Sequence, residues 1–253
     1  MSSLPLVSII TPAYNADRFI AETIQSVIDQ TYTQWEHLIV VDCNSRDKTE
    51  DIVRRFSLLD PRIRCITSPL AKGAAANRNL ALSEAVGEYA AFIDADDLWT
   101  KDKLEQQTQF MLNQKADFSF TGFKRISEDR SQEGRFLSVP AKVSYNDLLQ
   151  NNMIACLTAM FRLQPFRDFR FQEHGWEDMS FWLQILKRID YAHGLNRPLA
   201  YYRIVNGSRS NNKIFAAKLR WQTYRLVEKL SWPRSVYLFT RYLLTSTGKY
   251  LRF

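Results

Sequence analysis

Three carboxylates fall within four residues at Asp94-Ala95-Asp96-Asp97, directly after the apolar run Tyr89-Ala90-Ala91-Phe92-Ile93 and before Leu98-Trp99. Such a run reads as a buried strand that delivers its acids at the carboxyl end. Carboxylates this close repel one another, and they resist burial unless a cation or hydrogen-bond donors compensate. Asp94 and Asp96, flanking the small Ala95, suit a hard divalent cation, Mg²⁺ or Mn²⁺, which takes one or two protein carboxylates and completes its shell with phosphates and waters. The plainer alternative is an acidic turn in which Asp97 or Thr100 caps a helix beginning near Lys101. A further acid, Asp178, follows His174-Gly175-Trp176-Glu177 and opens a helical pattern of Phe181, Trp182, Ile185, Leu186 and Ile189. There it is either an N-cap or a carboxylate held at a helix N-terminus.

Around these acids, strand-like and helix-like segments alternate. Leu6–Thr11, His37–Asp42, Ile63–Thr67 and Glu88–Asp97 read as strands. Between them, a helix behind Asn15 as N-cap runs to about Gln30, a second spans Asp47–Phe56, and a third runs Asn77–Val86 until Gly87 stops it. The alternation predicts an α/β fold with a doubly wound, largely parallel sheet, right-handed crossovers, and ligands at the carboxyl ends of the strands. Four strand ends would then converge on one crevice. They deliver Thr11, Pro12, Tyr14 and Asn15, then Asp42-Cys43-Asn44-Ser45, Ser68 to Gly73, and the acids, with Lys72 and Arg78 as cations for phosphate charge. A Gly-x-Gly-x-x-Gly turn and a Walker loop are both absent, so the crevice is neither a dinucleotide fold nor a phosphate loop. Beyond the acids come a helix through Leu104–Leu112, a strand near Ala116–Phe123, and a polar stretch at Ser127–Gly134 read as a loop. A short helix and apolar segment follow over Tyr145–Phe161, and a last strand ends at Tyr201-Tyr202-Arg203.

The chain has 253 residues and is 45% hydrophobic, enough for one large domain. It lacks an apolar run long enough to span a bilayer, and Leu4–Ala13 is too short and strand-like for a signal peptide. Its three cysteines, Cys43, Cys65 and Cys156, form no zinc-type pair and fit reduced thiols in a cytoplasm. The net charge of +7 is uneven: residues 213–253 hold nine Lys/Arg against the single Glu228, which leaves the remainder near −1. That distribution argues against nucleic acid and for a basic tail that meets something anionic. Within the tail, Ile214, Ala217, Trp221, Tyr224 and Val227 recur at helical spacing, and Pro233 opens a second stretch with Val236, Leu238, Phe239, Tyr242, Leu243 and Leu244. Basic helices with Trp, Tyr and Phe fit the surface of an anionic leaflet, or else an ordinary helix pair packed on the sheet.

Taken in order, several motifs resemble those of bacterial family 2 glycosyltransferases of the GT-A fold. They are Val7-Ser8-Ile9-Ile10-Thr11-Pro12-Ala13-Tyr14-Asn15, Gln30-Thr31-Tyr32 with Trp35-Glu36, Arg78-Asn79, Gly87-Glu88-Tyr89, Asp94-Ala95-Asp96-Asp97-Leu98-Trp99, Lys103-Leu104-Glu105 and Trp176-Glu177-Asp178. The resemblance spans roughly residues 5–210. It implies a GT-A domain over 1–212, with nucleotide-sugar binding in about 1–100 and an acceptor-binding half in about 101–212, followed by the helical appendage 213–253. It also implies an inverting transfer from a nucleotide-sugar, most naturally a UDP-sugar. The base and ribose would lie near Pro12, Tyr14, Asn15, Asp42 and Asp94, Asp96 would hold the metal that bridges the diphosphate, and Asp178 would be the general base. The acceptor would be a saccharide or lipid-linked saccharide of lipopolysaccharide, capsule or exopolysaccharide, handled at the inner face of the cell membrane, with room for a homodimer. Cys43 stands where members often carry a second Asp, and Val205 where a His often follows the Tyr-Arg pair, a role Asn206 or Arg209 could take. Two other readings share the acids: a nucleotidyltransferase, and a non-catalytic sugar-nucleotide-binding partner in a synthase assembly.

Overall fold

The computed structural model describes residues 4–69, 73–205 and 213–249. Its first half is a run of strand–helix units: β1 (Val7–Ala13), α1 (Ile20–Ile28), β2 (Trp35–Val41), α2 (Thr49–Leu59), β3 (Ile63–Thr67), α3 (Gly73–Glu84) and β4 (Tyr89–Phe92). These four strands pair in parallel in the order β3-β2-β1-β4. They are rich in apolar residues because helices cover both faces. Ile10, Leu38 and Phe92 point to one cluster, whereas Val7, Ile9, Ile39 and Ala91 point to the other.

The second half extends the same sheet. After β5 (Leu98–Trp99), α4 (Lys103–Gln114), β6 (Phe118–Ser127), β7 (Glu133–Leu137), β8 (Lys142–Val143), α5 (Tyr145–Gln150), β9 (Met160–Arg162), α6 (Glu177–Leu186) and β10 (Ala192–Ile204), the full order is β3-β2-β1-β4-β9-β6-β10-β5. Here β9 runs antiparallel to both β4 and β6, while β10 is parallel to β6. The stretch Ser127–Gly134, read from sequence as a loop, closes a β6–β7 hairpin. Its turn is held by the Asp129 carboxylate, which accepts from Ser127 Oγ and from the Ser131 amide and hydroxyl.

Two details differ from expectation for local reasons. Asn15 does not cap α1, which begins a turn later at Ile20. Instead Asn15 sits at φ +45°, and its side-chain oxygen accepts the Arg46 amide at 2.9 Å, joining the ends of β1 and β2. The presumed fourth strand stops at Phe92, because Asp94–Asp97 close a turn through the Asp97 N–H to the Asp94 carbonyl (3.1 Å).

α6 is seated by aromatic side chains. Phe181 stacks on Phe171 at 4.2 Å between centroids, and Trp182 packs edge-on against Phe92 and tilted against Phe118. α7 (Lys213–Gln222), a π-helical turn (Thr223–Val227) and α8 (Trp232–Lys249) follow, and Tyr224, Leu230 and Leu238 belong to the same apolar cluster as Phe92 and Trp182. Among the described residues no helix is long and apolar enough to cross a membrane.

Where β4 begins beside β1 there is no room for a side chain. A Cβ on Gly87 would lie 2.6 Å from Ser8 Oγ, 2.7 Å from the Ser8 nitrogen and 2.8 Å from the Leu6 carbonyl. Gly87→Ala is expected to lower stability by about 1–3 kcal/mol, the usual range for overpacking. A denaturant midpoint equal to wild type would refute this.

Candidate active site

β4 and the residue after it, Ile93, are fully buried, so the chain emerges from the sheet only at Asp94. α3 lies against this exit and turns Arg78 toward it. That guanidinium is buried, yet it bridges two elements: Nη2 donates to Asp94 Oδ1 at 2.5 Å, and Nη1 donates to Glu177 at the start of α6. Its carbon also lies 5.5 Å from the centre of the Phe171 ring. Burial opposes this charge, but Cys156, Asp94 and Glu177 around it more than offset that, and its pKa rises. One cation therefore ties the acidic turn to the helix that carries Asp178.

A second buried arginine holds the other side of the turn. Arg203, near the end of β10, donates from its amide to Asp97 Oδ1 (2.9 Å) and from Nε to the Asp96 carbonyl (2.7 Å). Its remaining nitrogens reach the Glu128 carbonyl (2.6 Å) and Glu22 Oε2 (2.7 Å). Asp97 is fully buried, and burial together with Asp96 and Asp94 raises its pKa. Its role is thus to anchor the turn from inside.

Asp96 and Asp178 face outward from this frame. Burial, then the charge of Asp94, pushes the Asp96 carboxyl up to about 6. Burial likewise raises Asp178 to about 6, with Glu177 and Asp94 acting in the same direction, while the Met179 N–H (2.6 Å from Oδ1) and Arg78 oppose it. A helix N-terminus favours the ionised form, but burial and the neighbouring acids leave Asp178 more basic than an ordinary carboxylate, and still ionised at neutral pH.

A cleft of about 430 Å³ opens here, with Arg78, Asp94, Glu177 and Asp178 on one wall and Phe123, Arg125 and Tyr202 also lining it. Trp176, Cys156 and Asn152 are also part of its surface. Of the residues singled out from sequence, Asp94, Asp178 and Arg78 meet in this cleft, and Asp96 and Ala95 lie in the turn beside it. Asp42, at the end of β2, is buried and accepts from the Asn44 amide (3.0 Å) and Asn77 Nδ2 (3.4 Å). Tyr14 and Asn15 are exposed at the end of β1, next to half-buried Pro12. Thr11 is buried within β1, its hydroxyl paired with His37 Nε2 at 2.8 Å. Lys72, Asn206 and Arg209 lie outside the described residues. Glu177 and Arg203 acquire their roles only here. Both stood in recognised motifs, but nothing in sequence spacing reveals partners 99 or 107 residues away.

Among the described residues no group of three or more His, Cys, Asp or Glu encloses a metal position. One oxygen of Asp94 is taken by Arg78, which leaves Asp96 as the carboxylate open to a cation. One carboxylate, with substrate phosphates and waters supplying the rest, is a donor set that suits Mg²⁺ or Mn²⁺.

The model of the family "Glycosyl transferase family 2" matches residues 8–171, which include most of β1, Arg78 and the acidic turn. The chain belongs to this family. It is 41% identical over 248 residues to a putative teichuronic acid biosynthesis glycosyltransferase, TuaG, of Bacillus subtilis, a match covering 98% of each chain. It is also 41% identical over 217 residues to WfgD of Escherichia coli, a UDP-Glc:alpha-D-GlcNAc-diphosphoundecaprenol beta-1,3-glucosyltransferase, covering 85% of this chain and 84% of that one. Among solved structures, S. aureus TarS 1-349 in complex with UDP-GlcNAc superposes with a TM-score of 0.74 at 21% identity, covering 94% of this chain and 71% of that one. The sheet and helices are those of a GT-A glycosyltransferase.

Activity that needs Asp178 ionised should fall as the pH drops through about 6, where an unperturbed aspartate would hold its charge down to about 4. A kcat/KM profile flat from pH 7 to pH 5 would contradict this electrostatic picture.

Proposed function

We propose that this family 2 glycosyltransferase carries out an inverting transfer of a sugar from a UDP-sugar to a hydroxyl of a lipid-linked saccharide, in the assembly of a surface polysaccharide. The observation that carries the reading is the Arg78 bridge, which places Asp178 and the acidic turn on one wall of one cleft. The similarity to WfgD, a glucosyltransferase with a UDP-Glc donor and a diphosphoundecaprenol-linked acceptor, supports the substrate classes.

In this reading Pro12, Tyr14, Asn15 and Asp42 receive the nucleoside, with Thr11 supporting β1 beneath them through His37. Lys72 meets the diphosphate. Arg78 acts by holding Asp94 and Glu177 in register, since its fork is already occupied by both. Asp178 takes the proton from the acceptor hydroxyl as that oxygen attacks the anomeric carbon. The bond to the diphosphate breaks on the opposite face, and the leaving nucleoside diphosphate departs with the electron pair. A divalent cation held at Asp96, beside Asp94, would supply Lewis-acid stabilisation of that leaving group. A base titrating near 6 is well matched to this step at neutral pH, since it is ionised yet more basic than a free carboxylate.

Nucleotide release from a panel of UDP-, GDP-, dTDP- and CMP-sugars, with and without Mn²⁺, tests donor and metal together. Metal-dependent release from the UDP-sugar, lost in Asp96→Ala, is the expected result. Nucleoside diphosphates that bind while no donor is turned over, even with lipid-linked acceptor present, would favour the non-catalytic reading.

A site of action at a membrane surface is supported by the exposed side of α7, α8 and the π-helical turn between them. Ile214, Leu226, Trp232, Val236 and Tyr237 are exposed there, close in sequence to Lys218, Arg225, Lys229, Arg234 and Arg241. Apolar and aromatic groups flanked by cations suit a peripheral contact with the anionic cytoplasmic leaflet, where lipid-linked acceptors reside. The protein should co-sediment with phosphatidylglycerol vesicles but not with phosphatidylcholine vesicles, and 0.5–1 M salt (about a 3–4 Å Debye length) should weaken the association. Val236→Glu with Tyr237→Glu should abolish it. Unaltered sedimentation of that double variant would place the contact elsewhere.

A further inference from the structure

The helices after residue 212 do more than present an outer face, because their inner face is bonded to the residues that flank Asp178. Thr223 is fully buried, and its hydroxyl accepts the Trp176 N–H at 2.9 Å while donating to the Leu219 carbonyl at 3.1 Å. Trp176 is the N-cap of α6, a helix with no side-chain cap of its own, and the Trp176 carbonyl accepts the Ser180 amide as the helix begins. The indole of Trp176 donates from Nε1 to the Ala216 carbonyl at 3.0 Å. On the other side of the base, the buried Arg220 directs Nη1 at Met179 Sδ, 2.8 Å away. Three residues on about two turns of the C-terminal helices, Ala216, Arg220 and Thr223, thus grip the residues on either side of Glu177-Asp178.

The fit is tight at the backbone level. Gly175 has φ +77°, and a Cβ there would lie 2.5 Å from Thr223 Oγ1 and 3.0 Å from the Thr223 Cα and nitrogen. Only glycine combines that conformation with that approach. Opposite it the helix changes type: the Glu228 amide bonds to the Thr223 carbonyl at 2.9 Å, a π-type i+5 bond, within the wider turn Thr223–Val227. The wider turn lets the consecutive residues Thr223 and Tyr224 both point inward, Thr223 to the N-cap of α6 and Tyr224 to the Leu149 carbonyl (2.6 Å). Single π-turns inside helices often mark functional positions. The far end of α6 is held from the same segment, since the buried Glu228 pairs with Lys187 at 2.7 Å and with Tyr145.

From this geometry we infer that Thr223 is a positioning residue for the base: through the Trp176 N–H, the π-turn fixes the start of α6 and so the direction in which the Asp178 carboxylate faces the cleft. The C-terminal helices are then part of the catalytic apparatus rather than an anchor alone. The inference rests on Asp178 being the general base, as proposed above. Asp178 takes a hydrogen bond from the Met179 N–H at 2.6 Å, so a shift of the helix start alters both its aim and the pH at which it titrates.

The test compares Thr223→Val, which keeps the side chain's shape and loses the acceptor, with Thr223→Ser, which keeps the acceptor, in the full-length enzyme alongside Asp178→Asn. The valine variant should lose about ten- to a hundred-fold in kcat, the scale of a small misplacement of a reacting group. Its donor KM should be unchanged and the acid limb of its pH profile displaced, and serine should restore both. Should the valine variant not yield folded protein, Thr223→Ala serves the same comparison. Wild-type kcat and pH limb in Thr223→Val, with Asp178→Asn inactive, would overturn the inference while sparing the base. Equal impairment of the valine and serine variants with an unmoved pH limb would also overturn it, as the mark of a merely structural hydroxyl. An active Asp178→Asn would overturn the base assignment and this inference with it.

Discussion

Carboxylates delivered by a buried strand cannot stay close together without positive charge or hydrogen-bond donors around them, and this constraint organises the site. Asp94, Asp96 and Asp97 leave the sheet within four residues of one another, at the end of a strand with no exposed side chain. Two arginines, themselves almost wholly buried, answer them from opposite sides: Arg78 from α3 and Arg203 from β10. Each is tolerated in the interior because its fork is filled by carboxylates or carbonyls, an unpaired guanidinium being far costlier there. The same pairing gives Arg78 its mechanical value, since its second carboxylate belongs to the helix that carries Asp178.

Packing and electrostatics therefore act on the same residues. The aromatic layer of Phe92, Phe171, Phe181 and Trp182 sets where α6 lies on the sheet. Arg78 and the C-terminal helices then fix its first turn, one from the acidic side and the other from behind. The cleft that results is walled by acids yet lined over much of its area by Phe123, Trp176, Tyr202 and the apolar residues around them. Apolar and aromatic walls with a few convergent polar groups are the usual make-up of a small-molecule site. They also explain the elevated titration of Asp178, because the surface that shapes the cleft keeps water from its carboxylate.

The C-terminal helices join two readings of one segment. Their inner face belongs to the main apolar cluster through Tyr224, Leu230 and Leu238, and their outer face carries exposed aromatics and cations. A helix pair with one face in the core and another suited to an anionic surface can place a cleft close to lipid-linked substrate. Sequence pattern left two options for this segment, a leaflet contact or ordinary packing on the sheet. The structure packs its inner face against α5 and α6, while Ile214, Leu226, Trp232, Val236 and Tyr237 are exposed.

Features that depend on near neighbours in the chain were legible from the residues alone. Apolar runs and helical spacing located β1 to β4 and α1 to α3 to within a few residues, and the order of motifs was enough to indicate a family 2 glycosyltransferase of the GT-A fold. The acids at Asp94 and Asp96 and the helix start at Asp178 were visible because their local patterns are distinctive. How these pieces meet was visible only in the folded chain. It turned Asn15 from a presumed cap into a link between strand ends, made a hairpin of a polar stretch, and gave Arg78, Glu177, Arg203 and Thr223 partners far away in the chain. The physical reason is that propensity and periodicity are written locally, whereas burial, and with it the cost of every unpaired charge and donor, is a property of the whole assembled interior.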